Sequence, residues 1–168
     1  MSDGPIPAQQ GVPSPDLVAA WETLGMLPPE KVPVWAAHWI VAGHDGDALV
    51  YLAGLHGDDP RDVHDALPAA LGDCGVTQPD ADAAAAMVAF THVVRMHMEG
   101  LASAYWVGLR VDDILRRPGY ARGAIELPLG QLYRVADEWG DDWGRTNDHL
   151  AAVIREACQE QLRRASAV

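Results

Sequence analysis

Apolar side chains recur at three- and four-residue intervals along most of this chain, a rhythm that predicts helices. Period-two alternation of the kind a half-buried strand needs is confined to residues 123–127. Ser14-Pro15-Asp16 supplies a cap, a proline at the first helical position and an early acid. A short helix is therefore expected through Leu17, Ala20, Trp21 and Leu24, ended by Gly25. After Pro28-Pro29, the residues Val34, Trp35, His38, Trp39, Val41 and Ala42 predict a second helix, with that stripe turned onto its neighbours and Gly43 closing it. Asp45 stands where it caps a third helix through Ala48, Leu49, Leu52, Ala53 and Leu55. Asp59-Pro60-Arg61-Asp62 opens a fourth whose stripe is Val63, Ala66, Leu67, Ala70, Leu71 and Cys74, with Pro68 kinking it or marking its last strong turn.

From Asp80 the spacing of Ala83, Met87, Phe90, Val94, His97, Leu101 and Ala104 predicts the longest helix and the central post of the fold, with Gly100 and Gly108 as tolerated breaks. Val111 to Arg117 reads as a short helix, acidic first and basic last. Residues 118–123 form a loop, and Pro128 opens a helix with Leu129, Leu132, Tyr133, Ala136 and Trp139 on one face and Trp143 a turn later. The last helix, capped by Thr146 or Asn147, carries Leu150, Val153, Ile154, Ala157, Cys158 and Leu162, with Arg163 and Arg164 at its end. Residues 1–14 hold glycine and proline without apolar periodicity and read as a flexible tail. The expected architecture is all-α: one compact bundle of about six or seven helices over residues 15–168, a single domain at this length.

Composition narrows the function classes. An apolar fraction of 49% against 21% charged residues suits a globular core. The formal charge of −12 repels phosphate backbones and anionic lipid, so neither nucleic acid nor membrane is an expected partner. The chain carries no long apolar run, and its first residues have no basic-then-apolar leader, so a cytoplasmic location is expected. Cys74 and Cys158 sit in apolar helical contexts and read as buried thiols.

Four constellations could carry chemistry. Residues 48–71 have the form of a helix-turn-helix, but Asp58, Asp59, Asp62 and Asp65 face Arg61 alone, which opposes DNA binding. His97 on the predicted seam, with Trp35, His38, Trp39 and Tyr105, could line a small-molecule pocket; the plainer reading of His97 is a satisfied core histidine. His92 and His97 are five residues apart, which turns them away from each other. The run Asp137, Glu138, Trp139, Asp141, Asp142 and Trp143 surrounds aromatic side chains with carboxylates and suits docking on a basic partner; otherwise it is a solvated helix end with its tryptophans packed inward.

The pairs His44-Asp45 and His64-Asp65 resemble the signature of the all-helical HD phosphohydrolases, which bind metal with a histidine, a later His-Asp pair and a distant aspartate. That resemblance implies a divalent metal held by His38, His44, His64 and Asp65, with Asp112 or Asp113 as the distant carboxylate. His64 and Asp65 would be the catalytic pair, and a metal-activated water would attack phosphorus. The chain departs from the pattern at Asp62-Val63, where the family has an apolar run before its His-Asp pair. The block from Trp39 to Leu71, with the residues from Leu132 to Gly144, is similar to small all-helical actinobacterial proteins; this resemblance implies the helical fold and a cytoplasmic location and brings no activity or site residues. The function expected is non-catalytic: an acidic, immunity- or adaptor-like protein that docks on a basic protein through residues 137–143, without cofactor. A metal-dependent phosphohydrolase and a pocket lined by Trp and His are the alternatives, and the sequence sets no oligomeric state.

Overall fold

The computed structural model describes residues 11–117 and 119–168. Most of the expected N-terminal tail, residues 1–10, and Pro118 lie outside the described residues. Among the described residues there are eight α-helices, a few 3-10 turns and no strands, an all-α fold. No described helix is long and apolar enough to cross a membrane. The contacts group the described chain into two compact units, residues 11–80 and residues 81–168.

The first unit contains α1 (Pro15–Thr23), α2 (Val32–Val41), α3 (Asp47–Ala53) and α4 (Pro60–Asp73). Its starts follow the sequence signals. Ser14 Oγ accepts the Leu17 N–H at 3.2 Å, and Asp59 Oδ1 accepts the Arg61 N–H at 2.9 Å, each with proline at the first helical position. The core is built from Val18 and Ala19 of α1, Val32, Ala36 and Trp39 of α2, Leu49 and Leu52 of α3, and Val63, Leu67, Ala70 and Leu71 of α4. Pro68 sits on the exposed side of α4, where the missing N–H is tolerated, and the helix continues past it to Asp73.

Asp45 does not cap α3. The N-cap position is Gly46, at φ 155, and the carboxylate that accepts the Leu49 N–H at 2.9 Å is Asp73 Oδ2, from the end of α4. A Cβ on Gly46 would stand 2.1 Å from that carboxylate, so only glycine lets a side chain 24 residues away serve as the cap.

The second unit contains α5 (Asp82–Met98), α6 (Ala104–Arg116), α7 (Arg122–Ile125) and α8 (Asn147–Ser166). Helix α5 packs against the other three and is the post of this unit. It is neither the longest helix nor continuous to Ala104: α8 is longer, and Gly100, at φ +76, ends α5. Ser103 then caps α6 through its Oγ, which accepts the Trp106 N–H at 3.1 Å, so the two helices expected on either side of Gly108 merge into one. Gly108 is where Val135 and Ala136 press on α6; a Cβ there would lie 3.0 Å from the Val135 side chain.

The helix expected from Pro128 is instead two 3-10 turns, Gly130–Leu132 and Val135–Glu138, separated by Arg134 in the left-handed conformation. Two packing demands break it. Gly130 is pressed so closely onto α7 that a Cβ would stand 2.0 Å from the Ala124 carbonyl oxygen, and Asp112 Oδ1 accepts the Arg134 N–H at 2.9 Å, pinning the bend to α6. Thr146 caps α8, as expected, through the His149 N–H. Gln161 is fully buried on that helix, where its Oε1 accepts the Leu129 N–H at 3.3 Å and its Nε2 donates to Met87 Sδ at 3.0 Å.

Candidate functional site

Helix α2, VPVWAAHWIV, is apolar almost all round, and one helix face can meet only one core. Trp39 decides which. Its ring is buried, and its Nε1–H donates to the Pro13 carbonyl at 2.8 Å, which locks the rotation of the helix; Trp35 lies half-buried against Trp21, with ring centroids 5.9 Å apart. With Val32, Ala36 and Trp39 inward, the stripe Val34, Ala37, His38 and Val41, at offsets of three, four and seven residues, points out. The sequence stripe that joined Val34, His38 and Val41 to Trp39 therefore corresponds to no single buried face. Val34 is 60% exposed and Val41 86%.

That outward stripe forms one wall of a groove of about 300 Å³. Ala53, Leu55 and His56, from the end of α3 and the segment after it, form the other wall, and Glu30 and Pro33 lie at one end. Gly57, at φ +76, lets the 56–58 segment lie directly on the backbone of Glu30, where a Cβ would come within 3.0 Å. On the outer side of α3, Val50 and Tyr51 are also exposed. No sequence signal separated inner from outer face here, although the lack of polar residues on α2 was itself a sign that something beyond one core has to be covered.

Charge is distributed unevenly. Residues 11–80 hold eleven of the 24 carboxylates against Lys31 and Arg61, a formal −9 out of −12, whereas residues 81–168 hold twelve carboxylates against ten arginines. Asp58, Asp59, Asp62 and Asp65 are all exposed at the start of α4, where Asp59 caps the positive helix end and Arg61 is the nearest cation in sequence.

The run 137–143 is less free than its sequence suggests. Arg134 Nε donates to Asp137 Oδ2 at 2.8 Å, and Arg145 grips Glu138 through two hydrogen bonds of 2.9 and 2.5 Å, which hold that carboxyl below its ordinary range. Trp139 is half-buried and stacks on Tyr105 with centroids 5.5 Å apart. Asp141, Asp142 and Trp143 remain exposed, Trp143 at 87%.

The other candidates are dispersed. His97 Nδ1 lies 2.8 Å from the Ala102 carbonyl oxygen and ties down the loop after α5, while His38 lines the groove on α2. His44 is half-buried after α2, and His64 Nδ1 lies 2.8 and 2.9 Å from the two carboxylate oxygens of Glu22, turned toward α1 rather than toward Asp65. Asp112 holds the Arg134 N–H and Asp113 pairs with Arg110 at 2.8 Å. Among the described residues, no three His, Cys, Asp or Glu side chains converge as a metal site.

Burial pushes the Cys158 thiol up to about 11 and raises Cys74 as well, with the Asp73 charge adding to the latter; neither carries an activated sulfur. Sequence reasoning passed over Asp73 and Gln161, whose roles come from partners 24 and 32 residues away. No family model, curated protein or solved structure matches the chain.

Proposed function

We propose that this chain is a non-catalytic binding module that docks on a basic protein partner, and that the acidic first unit presents the docking face. The observation that supports this most directly is the formal −9 carried by residues 11–80, with Asp58, Asp59, Asp62 and Asp65 exposed together at the start of α4. Such a surface attracts a cationic partner over about 10 Å at moderate salt and speeds its encounter. Asp141, Asp142 and Trp143 supply a second, smaller contact of the same sign, since Asp137 and Glu138 already hold arginines of their own.

Co-purification with the products of neighbouring genes tests the proposal. A partner rich in Lys and Arg should be retained at low salt and released by high salt. Reversal of three carboxylates, Asp58→Lys, Asp62→Lys and Asp65→Lys, should weaken it at least about tenfold, which corresponds to about 1.4 kcal/mol. A partner held equally by the triple variant, or one that is itself acidic, would sink the reading. Metal analysis of protein purified without chelators separates it from the phosphohydrolase alternative, which requires stoichiometric divalent ion.

A further inference from the structure

We infer that the α2–α3 groove is the seat of a cationic amphipathic helix, supplied by the basic partner. This rests on the basic-partner reading above and adds to it the place and the secondary structure of what is bound.

The shape favours a helix. The exposed stripe from Val34 to Val41 spans seven residue steps, roughly 10 Å at the rise of an α-helix, which matches about two turns of a guest. Val34, Ala37 and Val41 are small or branched and leave a furrow, with Ala53 and Leu55 opposite, into which apolar side chains at guest positions i, i+3 or i+4, and i+7 can pack. Neither wall offers an open sheet edge, so an extended strand would find no backbone to pair with.

The charge selects a cation-bearing guest. Glu30 lines one end of the groove, and Asp58 follows His56 by two residues on its second wall. At the other end lies the negative end of the α2 dipole, and Asp45 follows Val41 by four residues. Lysines and arginines flanking an apolar stripe satisfy both ends at once. A second copy of the chain would instead bring one unit of formal −9 against another, and an anionic lipid surface meets the same repulsion.

The test uses the full chain and three synthetic peptides: a helix with leucines at i, i+3, i+4 and i+7 and Lys or Arg elsewhere, the same composition scrambled, and the leucine pattern with Glu in place of every cation. Fluorescence anisotropy should show the first bound at least tenfold more tightly than either of the others. The double variant Val34→Asn with Val41→Asn, and separately Ala37→Gln, should weaken the first peptide at least tenfold. These positions are exposed, so far-ultraviolet circular dichroism should be unchanged, while Val168→Asn, at an exposed apolar residue with no part in the groove, should leave binding as it was.

Equal binding of the helical and scrambled cationic peptides, or binding indifferent to the groove variants, overturns the inference and leaves the basic-partner reading standing on charge alone. Binding by none of the peptides overturns the inference as well, and the reading then depends on its own partner test. A dimer in sedimentation that the double variant dissociates gives the groove to a second copy and also overturns it.

Discussion

Residues 11–80 and residues 81–168 are both helical units with close-packed interiors, yet they treat charge in opposite ways. In the second unit, arginines and carboxylates pair locally: Arg110 with Asp113, Arg122 with Glu126, Arg134 with Asp137, Arg145 with Glu138, and Arg163 with Glu160. In the first, His64 hydrogen-bonds the Glu22 carboxylate, and most carboxylates have no Lys or Arg within the unit to answer them. Its α2 also keeps a second apolar face uncovered. Self-neutralised charge staples a surface without recruiting anything, whereas uncompensated charge beside uncovered apolar area leaves two unmet demands that one ligand can satisfy together.

The contrast does not extend to the interiors. Phe90 and Leu67 are both fully buried, Phe90 on α5 and Leu67 on α4. Phe90→Ala should cost about 3–5 kcal/mol, and Leu67→Ala about 2–5 kcal/mol, measured by urea unfolding. A loss below about 1 kcal/mol at either site would show that the unit concerned is loosely packed, and the comparison would then be one of order rather than of charge.

A smaller effect sharpens the comparison at a single cap. Asp73 is one of the few carboxylates of the first unit with structural work of its own, so Asp73→Ala should destabilise by about 0.5–2 kcal/mol, within the range for losing an N-cap. Asp45→Ala, at the position that the sequence nominated, should change stability by less than about 0.5 kcal/mol. Equal losses would mean that the α4-to-α3 bridge contributes nothing.

Unpaired charge predicts a smaller effect of opposite sign. Asp65→Lys, beyond the first turn of α4, should stabilise the protein by less than about 0.5 kcal/mol, and should flatten the rise of melting temperature with added salt, because the screened repulsion is reduced. Removing Arg110, which pairs with Asp113 at the exposed surface of the second unit, should destabilise by about 0.2–1 kcal/mol. Matching signs for the two experiments would erase the distinction between the units.

The smallest expected effect is on the acid side of the stability profile. Burial lowers the pKa of His92 below 6.5, and Arg95 adds to the shift. The unfolded chain therefore binds a proton more readily than the folded one, so the contribution is complete above about pH 6.5 and is lost as pH falls through the folded value. His92→Gln should flatten the decline of melting temperature as pH falls below about 6.5; an unchanged slope would assign the acid sensitivity elsewhere.

Much of the fold was legible because it was written in local signals. The starts of α1, α4 and α8 each have the capping side chain that the sequence named, and the stripe of α4 emerged with Val63, Leu67, Ala70 and Leu71 inside. The candidate sites were less legible. The acidic run 137–143 reads as free charge until Arg134, three residues before it, and Arg145, two residues after it, are seen to fold back on it. The histidines that the phosphohydrolase resemblance grouped as a metal set are turned to separate neighbours, His64 toward Glu22 and His38 toward solvent in the groove.

By itself the sequence determined the helical class, the capping chemistry and the excess of negative charge, because propensity, caps and composition act over a few residues or over none. Tertiary structure decided which face of α2 is inside, which carboxylate caps α3, and where the helix after Pro128 breaks. Each of those depends on a partner that is remote in the chain: Pro13 for Trp39, Asp73 for Leu49, and Ala124 and Asp112 for the turns around Gly130 and Arg134. A helix that is apolar on every side carries no local instruction about rotation, so only the first well-fitted long-range contact could choose which residues were left to meet a ligand.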